Sequence, residues 1–110
     1  MSRHDTERLA DILAAIEAIR DHLSHGDLNS GLVFDAARVR LIEIGEAVKG
    51  ITPATLASMP EIPWADVARM RDHLAHRYFD TTHSIVQGTV ENDLPALEDA
   101  VRRTLSHAAD

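Results

Sequence analysis

Apolar positions in this chain recur at intervals of three and four rather than two, the period of a helix face and not of a strand. The first series, Leu9, Ile12, Leu13, Ile16, Ile19 and Leu23, follows Asp5, which has the chemistry of a helix N-cap, and stops at Gly26. The stretch "GDLNSG", residues 26–31, carries turn residues without periodicity and is short enough to join two antiparallel helices. A second series, Phe34, Ala37, Leu41, Ile44 and Val48, predicts a helix from about Val33 to Val48, with Gly50 past its end. Gly45 sits inside it, where glycine costs about 1 kcal/mol relative to alanine. That position predicts the close approach of another helix, within the chain or across a dimer.

The stretch "TPATLASMPEIPW" then places three prolines in thirteen residues. Pro53 suits the first turn of a short helix, Pro60 and Pro63 favour extended or turn backbone, and Pro63 can also open the next helix. From Trp64 to about Phe79 the stripe is thin, Val67, Met70 and Leu74, and the rest is charged or histidine. After a turn-like "DTT" a last helical region is predicted from about His83 to His107, with Asp93 and Pro95 marking a kink or a fresh start. There are no repeats and no boundary signals. The expected fold is all-α: one domain over residues 1–110, a mostly antiparallel bundle of four to five helices.

Composition narrows the chemistry. Apolar residues make up 45% of the chain and aromatic residues only 4%, so the core must be built from Leu, Ile, Val and Ala. A net charge of −7 argues against broad attraction to a nucleic-acid backbone and makes any phosphate contact local. The absence of cysteine removes a disulfide framework and thiolate metal sites. The opening "MSRHDTERLADI" lacks the apolar run of a signal peptide, and no segment approaches the roughly 20 apolar residues of a membrane span, so a cytoplasmic protein is expected.

Against this background the octet "RDHLAHRY", residues 71–78, stands apart. Residues 69–78 carry +2 from Arg69, Arg71, Arg77 and Asp72, leaving −9 for the rest of the chain. On one helix Arg71 and Tyr78, seven apart, share a face, while His76 lies nearer Asp72 and His73; the Asp72 carboxylate is its natural partner. These residue types suit phosphoryl transfer on RNA. The 2′-hydroxyl is a nucleophile already beside the phosphate, so a protein need only move protons, as histidine does, and neutralise charge, as the bidentate fork of arginine does. Arg71 and His76 diverge on an ideal helix, so a shared site calls for helix distortion, reach by Arg71, or two copies converging about a twofold axis. Arg69, Arg77 and His73 would extend the patch toward RNA. The bland reading is a solvated helix face. His73 and His76 have ligand-like spacing but no third partner fixed by sequence, so no metal and no cofactor are expected. His22 and His25 suit the end of the first helix, Arg102 and Arg103 a solvated face, and Trp64 a packing role.

Arg71, four residues, His76, one residue, Tyr78 is the R-x4-H-x-Y signature of the HepT-like toxins of the HEPN superfamily, and the chain resembles that family in further blocks. These are "LIEIGEAVKGI" (41–51), "IPWADVARMRDHLAHRYFD" (62–80) and "VENDLPALEDAV" (90–101). The resemblance implies a HEPN-like bundle pairing as a homodimer whose motif helices line a composite cleft, and metal-independent cleavage of RNA with Arg71 and His76 as the catalytic pair. It also implies a neighbouring nucleotidyltransferase antitoxin that silences the toxin by attaching AMP to Tyr78. The chain departs from the pattern at Asp72, where the family commonly has asparagine. A second reading uses the same bundle as a non-catalytic dimer that binds the nucleotidyltransferase as regulatory partner or substrate.

Overall fold

The computed structural model describes residues 1–76 and 79–109. The elements are α1 (Arg3–Leu23), α2 (Gly31–Lys49), α3 (Pro53–Ala57), α4 (Trp64–Ala75), α5 (Phe79–Gly88), a π-helical turn (Thr89–Asp93) and α6 (Leu94–Ala109). The fold is all-α, a HEPN-like bundle. Cross-helix contacts give the directions. Arg38 and Gly45 of α2 meet Leu74 and Arg71 of α4, and Glu17 and Arg20 of α1 meet Arg102 and Glu98 of α6, so both pairs run antiparallel. The first link folds α1 onto α2 in the same sense, returning Gly50 to His4, whose Nε2 lies 3.1 Å from the Gly50 carbonyl oxygen.

The predicted stripes meet in one core. Leu9, Ile12, Ile16 and Ile19 of α1, Leu41 and Ile44 of α2, Leu74, Val86 and Val101 are essentially without exposure. Burying each such aliphatic side chain contributes about 1.5–3 kcal/mol, which gathers these weakly aromatic helices into a bundle. Among the described residues, no helix is long and apolar enough to cross a membrane.

Three expectations need correction. Asp5 does not cap α1. Ser2 does, its hydroxyl accepting from the Asp5 N–H at 3.1 Å, while the Asp5 carboxylate turns inward to accept from the Thr52 N–H at 3.0 Å and the Thr52 and Thr55 hydroxyls at 2.6 Å. The helix predicted to reach Phe79 ends at Ala75, and "DTT" lies inside α5 instead of forming a turn. The kink expected at Asp93 and Pro95 is present: the wide turn at Thr89–Asp93 breaks the last helical region just before Pro95. A proline ring clashes with the carbonyl four residues back in a regular helix, and there the Leu94 N–H reaches the Thr89 carbonyl five residues back instead.

Candidate active site

Arg71 leaves α4 on the side that faces α2. A Cβ added to Gly45 would lie 2.4 Å from Arg71 Cβ and 3.4 Å from its Cα, so the two helices touch where α2 has no side chain. The close approach predicted for Gly45 is therefore within the chain, and its partner is the motif arginine. The half-buried guanidinium is ion-paired through Nε with Glu46, and its Nη1 donates to Asp72 Oδ1 at 3.2 Å. Lys49 Nζ donates to the same Oδ1 at 2.8 Å. That bond from Lys49, followed by the one from Arg71, holds the Asp72 carboxyl below the usual carboxylate range. Arg71, Lys49, Glu46 and Asp72 thus form a formally neutral quartet across the two helices.

His76 closes α4. Its N–H bonds to the His73 carbonyl at 3.3 Å, one residue tighter than the α-helical pattern, and Arg38 of α2 donates to the Leu74 carbonyl at 2.8 Å, satisfying one of the last-turn acceptors. The expected pairing of His76 with the Asp72 carboxylate is not what the side chains do. His76 Nδ1 contacts the main-chain carbonyl of Asp72, and the carboxylate faces Lys49 and Arg71. The physical reason is competition: two cations lie within reach of the carboxylate, while an imidazole at the helix end is offered an unpaired carbonyl four residues back. A carbonyl only accepts, so Nδ1 carries the proton, and in the neutral ring Nε2 is left as the basic nitrogen. Asp72 therefore touches both members of the motif, guanidinium through its side chain and imidazole through its backbone.

Arg69 is paired with Asp66 at 3.1 Å on an exposed stretch of α4, and His73 is exposed. Arg77 and Tyr78 lie outside the described residues. Arg102 is engaged by Glu98 and Glu17, and Arg103 by Asp99 and Glu61, so these two serve the bundle surface. His25 Nδ1 lies 2.9 Å from the Asp21 carbonyl, a contact at the end of α1, and the Trp64 indole donates to the Met59 carbonyl at 3.0 Å, a packing role. Among the described residues no three His, Asp or Glu side chains converge as a metal-ligand group. Sequence reading missed Glu46, Lys49 and Arg38. Lys49, four residues on from Gly45, shares its face, a signal that was present, while Glu46, one residue on, lies about 100° round the helix; Arg38 acts on a carbonyl, which no side-chain pattern announces.

The family model for "Ribonuclease HepT-like" matches residues 9–104. A protein of Thermococcus cleftensis named "Probable ribonuclease HepT" is 37% identical over 102 residues, covering 89% of this chain and 93% of its own. One of Caldanaerobacter subterraneus, carrying the name of an RNase, is 36% identical over 84 residues, 76% of this chain and 75% of its own. No solved structure matches.

Proposed function

The chain belongs to the HepT-like ribonuclease family, and from that premise we propose that it is an endoribonuclease in which Arg71 and His76 are the catalytic pair. The observation that carries the reading is their joint attachment to Asp72 at the end of α4, with no hydrogen bond to His76 Nε2 among the described residues. Nε2 takes the proton of the ribose 2′-hydroxyl, the 2′-oxygen bonds to phosphorus, and the bond to the 5′-oxygen breaks as that oxygen receives a proton. The products are a 2′,3′-cyclic phosphate and a free 5′-hydroxyl. Arg71 bears on the equatorial oxygens, where charge builds up in the transition state. The nucleophile is part of the substrate, so the reaction calls for no metal.

A second copy completes the cleft and supplies the imidazole that protonates the leaving oxygen. Leu32, Val39 and Glu46 follow one another at seven-residue intervals and so share a line on α2. Leu32 is 83% and Val39 45% exposed, and the line runs to the residue that holds Arg71, so a copy packed over it adjoins the site. Val39→Glu is expected to yield a monomer with lost cleavage; a stable dimer by light scattering would move the interface elsewhere.

The setting proposed is a toxin–antitoxin pair. A nucleotidyltransferase transfers AMP from ATP to the Tyr78 oxygen with release of pyrophosphate, and the added charge and bulk exclude RNA. Tyr78 is the only tyrosine of the chain, so an adduct that persists in Tyr78→Phe after co-expression would overturn this.

The test of the activity is purified protein with RNA in excess chelator: cleavage expected for the wild type and lost in Arg71→Ala and His76→Ala. The rival reading, a non-catalytic dimer that binds the transferase, draws on the two carboxylates already seated on Arg71. It prevails if wild type and variants behave alike.

A further inference from the structure

We propose that the segment Gly45–Lys49 of α2 is the positioning element of the site: Glu46 holds Arg71 by Nε, and Lys49 neutralises Asp72 so that its carboxylate steadies Nη1 without repelling a substrate phosphate. The inference rests on the nuclease reading of Arg71 and deepens it.

Three observations from one turn of helix combine. Gly45 lets the Arg71 backbone come close, since a Cβ there would sit 2.4 Å from Arg71 Cβ. Glu46 lies as an ion pair against the buried Nε, which makes no hydrogen bond among the described residues, and Asp72 Oδ1 accepts one Nη1 proton, leaving Nη2 with no hydrogen-bond partner there either. A guanidinium has five N–H donors in a rigid plane, so fixing two of its edges dictates where the third points. The free edge is the one offered to phosphate.

Lys49 answers the departure at Asp72. Without it, Arg71 would face two carboxylates with a local formal charge of −1, and the site would repel the anion it must bind. With Lys49 on the shared oxygen at 2.8 Å the group is neutral, and Arg71 keeps its second brace. Lys49 therefore acts through Asp72 and not as a phosphate contact.

The test has a substrate-free arm and a substrate arm, both on the full chain. The side-chain Nε–H resonance of Arg71, assigned by its loss in Arg71→Lys, is expected to be exchange-protected in the wild type, where Nε is buried beside Glu46, kept in Glu46→Gln, which has the same bulk, and lost in Glu46→Ala, which uncovers it. With RNA, Glu46→Ala should lower kcat roughly ten- to a hundredfold, the scale of a misplacement of about 1 Å, with Glu46→Gln rescuing most of it. Lys49→Gln should raise KM about threefold in the wild type, the range of an exposed ion pair, and change nothing in Asp72→Asn. Equal losses from Lys49→Gln in both backgrounds would make Lys49 a direct RNA contact and overturn its role. An Arg71 signal and kcat indifferent to Glu46→Ala would remove the clamp. A wild type that shows the protected signal but cleaves no RNA sinks the nuclease reading alone.

Discussion

Asp5 and Asp72 each tie one helix to another segment, and both carboxyls are held below their ordinary range, but for different reasons. Asp5, 1% exposed, is stabilised by uncharged donors, first the hydroxyls of Thr52 and Thr55 and then the Thr52 amide, and its pKa falls to about 2. It pins the start of α1 to the start of α3. Asp72 is stabilised by two cations, Lys49 foremost, at a place where its side chain is 49% exposed. A carboxylate saturated by neutral donors in a sealed place cannot exchange partners without exposing them. A half-exposed carboxylate that shares one oxygen between a lysine and a half-buried arginine can. The same ionisation preference thus marks a staple in one region and an exchangeable contact in the other.

The contrast is tested most severely by Arg71→Ala, expected to lower cleavage by at least a hundred- to a thousandfold, the scale of removing one transition-state donor, with the melting temperature nearly unchanged. Gly45→Ala should cost about 1–3 kcal/mol in a denaturant titration, as overpacking does, because the clash is with atoms next to the α4 backbone rather than a mobile tip. Asp5→Ala should lower the melting temperature by several degrees and leave cleavage per folded molecule intact. Activity lost in step with folded fraction fits a staple; a greater loss breaks the comparison. Acid sharpens it further. A depressed native pKa contributes stability above the unfolded value of about 4, and the contribution is lost as pH falls through about 2. Wild type should therefore lose stability over that window more steeply than Asp5→Asn, as followed by circular dichroism. The smallest effect belongs to Asp72→Asn, which should change RNA affinity about threefold or less, in the direction of tighter binding, since it removes an exposed charge beside the phosphate site.

Much of the bundle was legible because α1 and α2 bury one regular face each, and a buried face writes its period into the chain. Gly45 was legible as a cost that demanded a neighbour. The end of α4 was not. His76 and the residues after it carry no apolar period that could mark a stop, and what ends the helix includes Arg38, reaching in from 36 positions away to a backbone carbonyl. Asp5 misled because aspartate before an apolar stripe is locally a cap, and only the fold brings Thr52 and Thr55 to it. The motif residues were identifiable by type and spacing. Their arrangement was not, since the partner each would choose depended on Lys49 and Glu46 coming from another helix.

The single indole of the chain gives this architecture an optical handle. Trp64 is the first residue of the helix that bears Arg71, and its ring N–H is fastened to the Met59 carbonyl at the far side of the connecting stretch. Any event that lifts that helix away from its neighbours, whether polynucleotide binding or attachment of a bulky group near its other end, would loosen this fastening and shift the emission wavelength. One fluorophore, native to the sequence, reports on the lever that carries the chemistry.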